Sequence, residues 1–263
     1  MFSNLSRVAA LSAWAGLAML QTTLAHAGIV LNTTRVIYPG ADKEVGLIVH
    51  NTGTGDILAQ SWFEGSVDAA PAHDPSSLLP ASAAVPFAVT PALARLAGEA
   101  RQLVRIIYSG EGLATDRESV LWLNVQEIPQ LGGENELQIA IRQRIKLFYR
   151  PVGLTDDPLK AAQALQWRVR EGNLEVNNPG PYHVSMIKLE ATRGTQVVFQ
   201  EDARMLAPQQ RLRWPLPRQA RDAPVGLTFI SINDFGAQER YQVRMTDGRM
   251  MQAAQLERRP DSR

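Results

Sequence analysis

Cysteine is absent from the whole 263-residue chain, so no disulfide can staple it and its domains must be held by buried cores alone. That requirement favours domains near a hundred residues or more, and the length accommodates two. Histidine is nearly as scarce. The four, His26, His50, His73 and His183, stand at no metal-binding spacing with one another or with a carboxylate pair, which argues against metal catalysis. A phosphate-binding lysine loop, a GxSxG elbow and a dinucleotide glycine fingerprint are all missing. The nearest approach, Gly53-Thr54-Gly55 in "HNTGTGDI", reads as a tight turn between strands. Charge of one sign is lacking too, with 27 Lys+Arg against 26 Asp+Glu. A near-neutral chain does not suit nucleic acid as a partner. No cofactor and no enzymatic activity are expected.

Long hydrophobic runs are confined to the start. Arg7 precedes a mostly apolar stretch from Val8 to Leu20, and Ala25-His26-Ala27 has the small-x-small form of a cleavage site. The apolar stretch falls short of the roughly 20 residues that a spanning helix needs, so residues 1–27 read as a cleaved export signal, with no membrane insertion of the mature chain. Their removal takes away Arg7 and no acidic residue, bringing the formal charge from +1 to zero.

The remainder consists of short runs rich in Val, Ile and aromatics between Gly, Pro and Asx punctuation. Strands are expected at Ile29 to Tyr38, Glu44 to Val49, Leu58 to Phe63, Arg101 to Tyr108 and Ser119 to Gln126. Further strands follow at Ala164 to Arg170, Asn173 to Asn177, His183 to Glu190, Gln196 to Gln200, Arg211 to Trp214, Gly226 to Ile232 and Gln238 to Met245. This is the spacing of an all-β chain with two immunoglobulin-like sandwiches. Residues 65–85, rich in Ala, Pro and Ser, read as a surface loop, and "RPVGLTDDP" reads as the linker, so the domains are expected at 28–150 and 151–263. The tail from Gln252 onward has little to bury and is expected to fray.

The most informative segment is "ELQIAIRQRIKLFYRP", Glu136 to Pro151. At period two, Leu137, Ile139, Ile141, Ile145, Leu147 and Tyr149 share one parity, interrupted only by Gln143, while Arg142, Arg144, Lys146 and Arg150 share the other. From Leu137 to Tyr149 such a strand would extend about 40 Å, roughly twice the usual length. As the last strand of its domain, without a blunting proline, it is expected at a sheet edge open to another chain. Strand addition would then give affinity through backbone hydrogen bonds and specificity through alternate side chains. Lys146 could hold a partner's terminal carboxylate by charge-assisted hydrogen bonds. The plainer reading, an ordinary strand packed on its own sandwich with a solvated lysine, stays open from the pattern alone.

The wording "QIAIRQRIKLFYRP" resembles the signature of the PapD-like periplasmic chaperones of the chaperone-usher pathway. "NTTRVIYPG", "DRESVLWLNVQEIP", "NNPGPYHV" and "SINDFG" resemble further family segments in the same order. PapD is itself a standard example of the sandwich, and donor-strand complementation of strand addition. The resemblance implies two immunoglobulin-like domains in an L or boomerang arrangement, in a periplasmic chaperone that caps pilin or fimbrial subunits and passes them to an outer-membrane usher. It implies that Arg35 and Lys146 anchor the subunit's C-terminal carboxylate and that Leu137, Ile139 and Ile141 enter the subunit's groove. It further implies that Glu118, Arg150 and Asp234 form an interdomain salt bridge and that Thr90-Pro91 matches a cis-proline turn. The short loop "QLGGENE" resembles the subclass serving adhesive rods. Gly180 and His183 depart from the family's usual residues. A self-capping dimer of the free chain would be another way of covering the edge. The rival readings are a secreted adhesion module of tandem immunoglobulin-like domains and, with no catalytic constellation in support, a periplasmic hydrolase.

Overall fold

The computed structural model describes residues 28–64, 85–128, 140–218, 225–246 and 248–256. Residues 1–27, most of the Ala/Pro/Ser-rich loop, the "QLGGENE" loop, Leu137 and Ile139 lie outside the described residues.

The first domain carries β1 (Ile29–Leu31), β2 (Arg35–Pro39), β3 (Glu44–Asn51), β4 (Ile57–Glu64), β5 (Phe87–Thr90), β6 (Leu93–Leu96), β7 (Arg101–Tyr108), β8 (Ser119–Ile128) and β9 (Arg142–Arg150). One sheet has the order β1-β3-β7-β5 and the other β2-β9-β8-β4-β6. Alternating residues of both sheets meet in a core that includes Leu47, Val49, Ile106, Leu121, Leu123 and Leu147. An aromatic cluster closes one end: Tyr108 stands 4.5 Å from Tyr149 and 5.0 Å from Phe87, centroid to centroid. Beside it, the Thr90-Pro91 peptide is cis.

The second domain carries β10 (Gln166–Arg170), β11 (Asn173–Asn177), β12 (Val184–Arg193), β13 (Gln196–Leu206), β14 (Arg211–Pro215), β15 (Val225–Ile232), β16 (Gln238–Met245), β17 (Met251–Gln252) and β18 (Ala254–Gln255). These form the sheets β14-β11-β10-β17 and β13-β12-β15-β16-β18. Trp167 and Phe229 lie between the two layers with ring centroids 5.3 Å apart. Between the domains, a 3-10 turn (Pro158–Lys160), capped by the Asp157 carboxylate accepting from the Leu159 N–H, runs into the one-turn helix Ala161–Ala164.

Three expectations need correction. The run from Ile29 to Tyr38 is two strands, because the Asn32 side chain accepts the Ile48 N–H and the Thr33 hydroxyl bonds the Arg35 carbonyl. The chain thereby leaves β3 in one sheet and joins β9 in the other. The tail does not fray at Gln252: β17 and β18 pair with β10 and β16, and Ala253 is buried. Most consequentially, β9 is not an open edge along its length. Parallel pairing with β2 covers Lys146 to Arg150, while Ile145, Leu147 and Tyr149 lie in the domain's own core.

Each domain thus rests on its own apolar interior. Leu121, fully enclosed in the first, offers a direct check: Leu121→Ala is expected to lower the unfolding free energy by about 2–5 kcal/mol, read from a shifted urea midpoint.

Candidate functional site

The site is built where β2 and β9 run side by side. Their register sets Arg35 opposite Lys146, and the antiparallel register of β8 sets Trp122 on the other flank of Lys146. The Lys146 ammonium sits 5.5 Å from the Trp122 ring centroid, and the Arg144 guanidinium lies over the same ring at 4.2 Å. Neither Lys146 nor Arg35 has an ion-pair partner among the described residues. Arg35 is held by its Nη1 donating to the Ile232 carbonyl of the second domain at 3.0 Å and lies 5.7 Å from the Phe148 ring. Its Nε is buried with no hydrogen-bond acceptor among the described residues.

Burial, and after it the neighbouring Arg35 charge, together lower the Lys146 pKa to about 8. Burial also lowers the Arg35 pKa, against the opposing pull of Asp234 and Glu118. Two partly desolvated cations without a direct counter-ion make a receptor for an anion, and their pairing on adjacent strands suits the two oxygens of a carboxylate.

A second cluster fixes the domains around this pair. The buried Glu118 carboxylate accepts from the Arg150 Nε at 2.8 Å and from the His183 backbone N–H at 2.8 Å, with His183 Nδ1 at 2.9 Å. Arg150 reaches the Asp234 carboxylate with both terminal nitrogens at 2.7 Å. Burial works against the Arg150 charge, but the hydrogen bonds and charges of Asp234 and Glu118 outweigh it and raise its pKa. The Arg150 guanidinium also stacks 5.1 Å from the Tyr182 ring. Gly40 lets the chain pass closely here: its N–H donates to the Arg150 carbonyl at 2.6 Å, and a Cβ would meet that oxygen at 2.8 Å.

The structure therefore brings together Arg35 with Lys146, and Glu118 with Arg150 and Asp234. On the even-parity face of β9, Phe148 meets the His183 ring and Arg150 meets Asp234, both of the second domain. His183 is the participant that sequence reasoning missed. Its partner is 65 residues away, and a search confined to metal-ligand spacings could not find it.

Beyond the β2 pairing, Arg142 to Ile145 has, among the described residues, a strand partner on one side only, β8. The Gln143 side chain, the polar break in the apolar row, turns to donate to the Ile29 carbonyl at 2.5 Å. Ile141, on the same parity, is 43% exposed although Ile145 is 8% exposed. Ile141 lies just before β9 begins, so the expected strand from Leu137 is seen among the described residues only from Arg142 onward, and the apolar row leaves the domain's core at that point.

Two outcomes follow for the isolated protein. Arg150→Ala leaves the buried Glu118 carboxylate without its cation and is expected to cost about 3–5 kcal/mol, measured by urea denaturation. For Lys146, the folded pKa of about 8 lies below the ordinary lysine value of 10.5. The burial penalty is then fully present below pH 8 and is relieved as pH rises toward 10.5, where the unfolded chain binds more protons. Lys146→Met is expected to exceed the parent in stability below pH 8, by a margin that shrinks toward pH 10.5; a margin independent of pH would contradict the assigned burial.

Comparison with known proteins agrees with this architecture. Residues 28–155 match the "Pili and flagellar-assembly chaperone, PapD N-terminal domain" family, and residues 160–243 the "Pili assembly chaperone PapD, C-terminal domain" family. The chaperone protein FimB/FhaD of Bordetella pertussis is 37% identical over 248 residues, covering 88% of this chain and 95% of that protein. The crystal structure of the YadV chaperone is 33% identical with a TM-score of 0.67, covering 82% of this chain and 98% of that one. A structure of Salmonella enterica SafA pilin in complex with the SafB chaperone matches with 25% identity and a TM-score of 0.64, over 82% of this chain and 95% of that one. With both of its domains matched in order around the β2–β9 cleft, the chain belongs to the PapD-like family of pilus-assembly chaperones.

Proposed function

We propose that this chain caps a fimbrial subunit in the periplasm by lending it the open part of β9 and by holding its C-terminal carboxylate between Arg35 and Lys146. The observation that carries this reading is the cation pair itself. Among the described residues, the buried Arg35 and half-buried Lys146 sit on adjacent strands without a direct counter-ion, beside a stretch of strand with one free side. A carboxylate at the cleft fixes register, and the backbone of Arg142 to Ile145 then supplies ladder hydrogen bonds to the guest.

Leu137, Ile139 and Ile141 are the side chains assigned to the subunit's groove. The exposure of Ile141 supports that assignment, as does the sequence parity that places Leu137 and Ile139 on its face. Glu118, Arg150 and Asp234 are assigned the task of setting the domain angle, so that Arg35 from β2 and the Ile232 carbonyl from the second domain meet. Residues 1–27 are assigned as the export signal, and an outer-membrane usher as the destination of the loaded chaperone. The role requires no catalytic step: the guest gains a missing strand, and a better-fitting strand from another subunit can later displace it.

Co-expression with the fimbrial subunits encoded in the same genome, followed by co-purification, tests this directly. Arg35→Ala and Lys146→Ala are each expected to weaken subunit binding by about 2–5 kcal/mol, since the carboxylate loses its charge partner in a desolvated site. Ile141→Asp is expected to abolish capture while the free chaperone unfolds at an unchanged urea concentration. Undiminished recovery of subunit with both cation variants would overturn the anchor, and unfolding of Ile141→Asp would return that residue to the chaperone's own core.

A further inference from the structure

Phe235 is 84% exposed, more than any other large hydrophobic side chain among the described residues. A single exposed apolar residue is ordinary on a protein surface. This one differs in how firmly its backbone is held and in where it is held. It occupies the turn between β15 and β16, in which the Asn233 side-chain oxygen accepts from the Phe235 N–H at 3.1 Å and the Ala237 N–H at 3.0 Å. The Gly236 N–H donates to the Asn233 carbonyl at 3.0 Å, and Asn233 Nδ2 donates to Glu239 at 2.8 Å.

One chain neighbour of Phe235 is bonded to the first domain and the other lies close against it. Asp234 carries the two-pronged pair with Arg150. Gly236 approaches so closely that a Cβ would stand 3.0 Å from the Thr34 hydroxyl, and its φ of +80° is one that suits glycine. Three residues earlier, the Ile232 carbonyl accepts from Arg35. The ring is thus presented to solvent from a turn fixed at the mouth of the cation cleft, while the residues on either side are tied down.

We propose that Phe235 is a subunit-contacting side chain that packs on a large apolar residue within the last few positions of the guest. This rests on the carboxylate-anchor reading given above. A carboxylate held at Arg35 lies beside the Ile232 carbonyl, three residues before Phe235, which puts the guest's last residues within reach of this turn, and an aromatic on a fixed backbone is the kind of group that contributes most at an interface. The contact selects guests by the apolar side chain next to their charged end, adding to what any carboxylate would gain from the cations.

The test uses labelled peptides copying the C-terminal segment of a fimbrial subunit from the same genome, titrated into the full chain and followed by fluorescence anisotropy. Phe235→Ser is expected to bind about tenfold more weakly, Phe235→Tyr to restore binding, and the melting temperature of both to match the parent. With a peptide whose large apolar residues in the final positions are replaced by serine, the parent and Phe235→Ser are expected to bind alike. Equal binding of parent and Phe235→Ser to the unaltered peptide, with Lys146→Ala still impaired, overturns the role of Phe235 and leaves the anchor standing. Equal binding of the acid and amide forms of the peptide, with Lys146→Ala unimpaired, overturns the anchor and this inference with it.

Discussion

The parallel pairing of β2 with the second half of β9 is the constraint on which the rest of the molecule depends. Five residue pairs, from Arg35↔Lys146 to Pro39↔Arg150, close the edge of the sheet where the domain needs it closed. The same register leaves Arg142 to Ile145 without a partner on that side among the described residues and sets two cations face to face. An edge that is open for only a few residues and followed by a fully paired stretch limits indiscriminate strand addition.

Holding Arg35 beside Lys146 is unfavourable in the free protein, because like charges repel and burial strips both of water. Neutralisation is supplied next door instead. Glu118 and Asp234 are engaged by Arg150 at 2.7–2.8 Å, and Glu118 is further saturated by His183. These bonds span the two domains, so the cluster that fixes their angle also keeps its carboxylates from quenching the cation pair. Arg150 and the two cores hold the fold together, while Arg35 and Lys146 have no ion-pair partner among the described residues.

Much of this was legible in the sequence. Period-two alternation located most strands, and the bounds of Asn173–Asn177, Arg101–Tyr108 and Gln238–Met245 agree with the structure. Alternation could not reveal that the odd-parity row of β9 changes environment between Ile141 and Ile145, since parity specifies a face and tertiary packing decides what covers it. The break between β1 and β2 was hidden for a related reason: Asn32 and Thr33 divert the backbone with side-chain bonds that a tally of apolar residues does not register. Arg35, Lys146, Glu118, Arg150 and Asp234 were legible through resemblance to a family. His183 and Phe235 were not, because the first acts through a distant carboxylate and the second is distinguished by exposure on a fixed turn.

The most direct measurement is a crystal structure of the chaperone with a bound fimbrial subunit. The account predicts the subunit's terminal carboxylate within hydrogen-bonding distance of both Arg35 and Lys146, with a subunit strand paired to the free side of Arg142 to Ile145. A subunit seated elsewhere, or a carboxylate remote from the two cations, would contradict it.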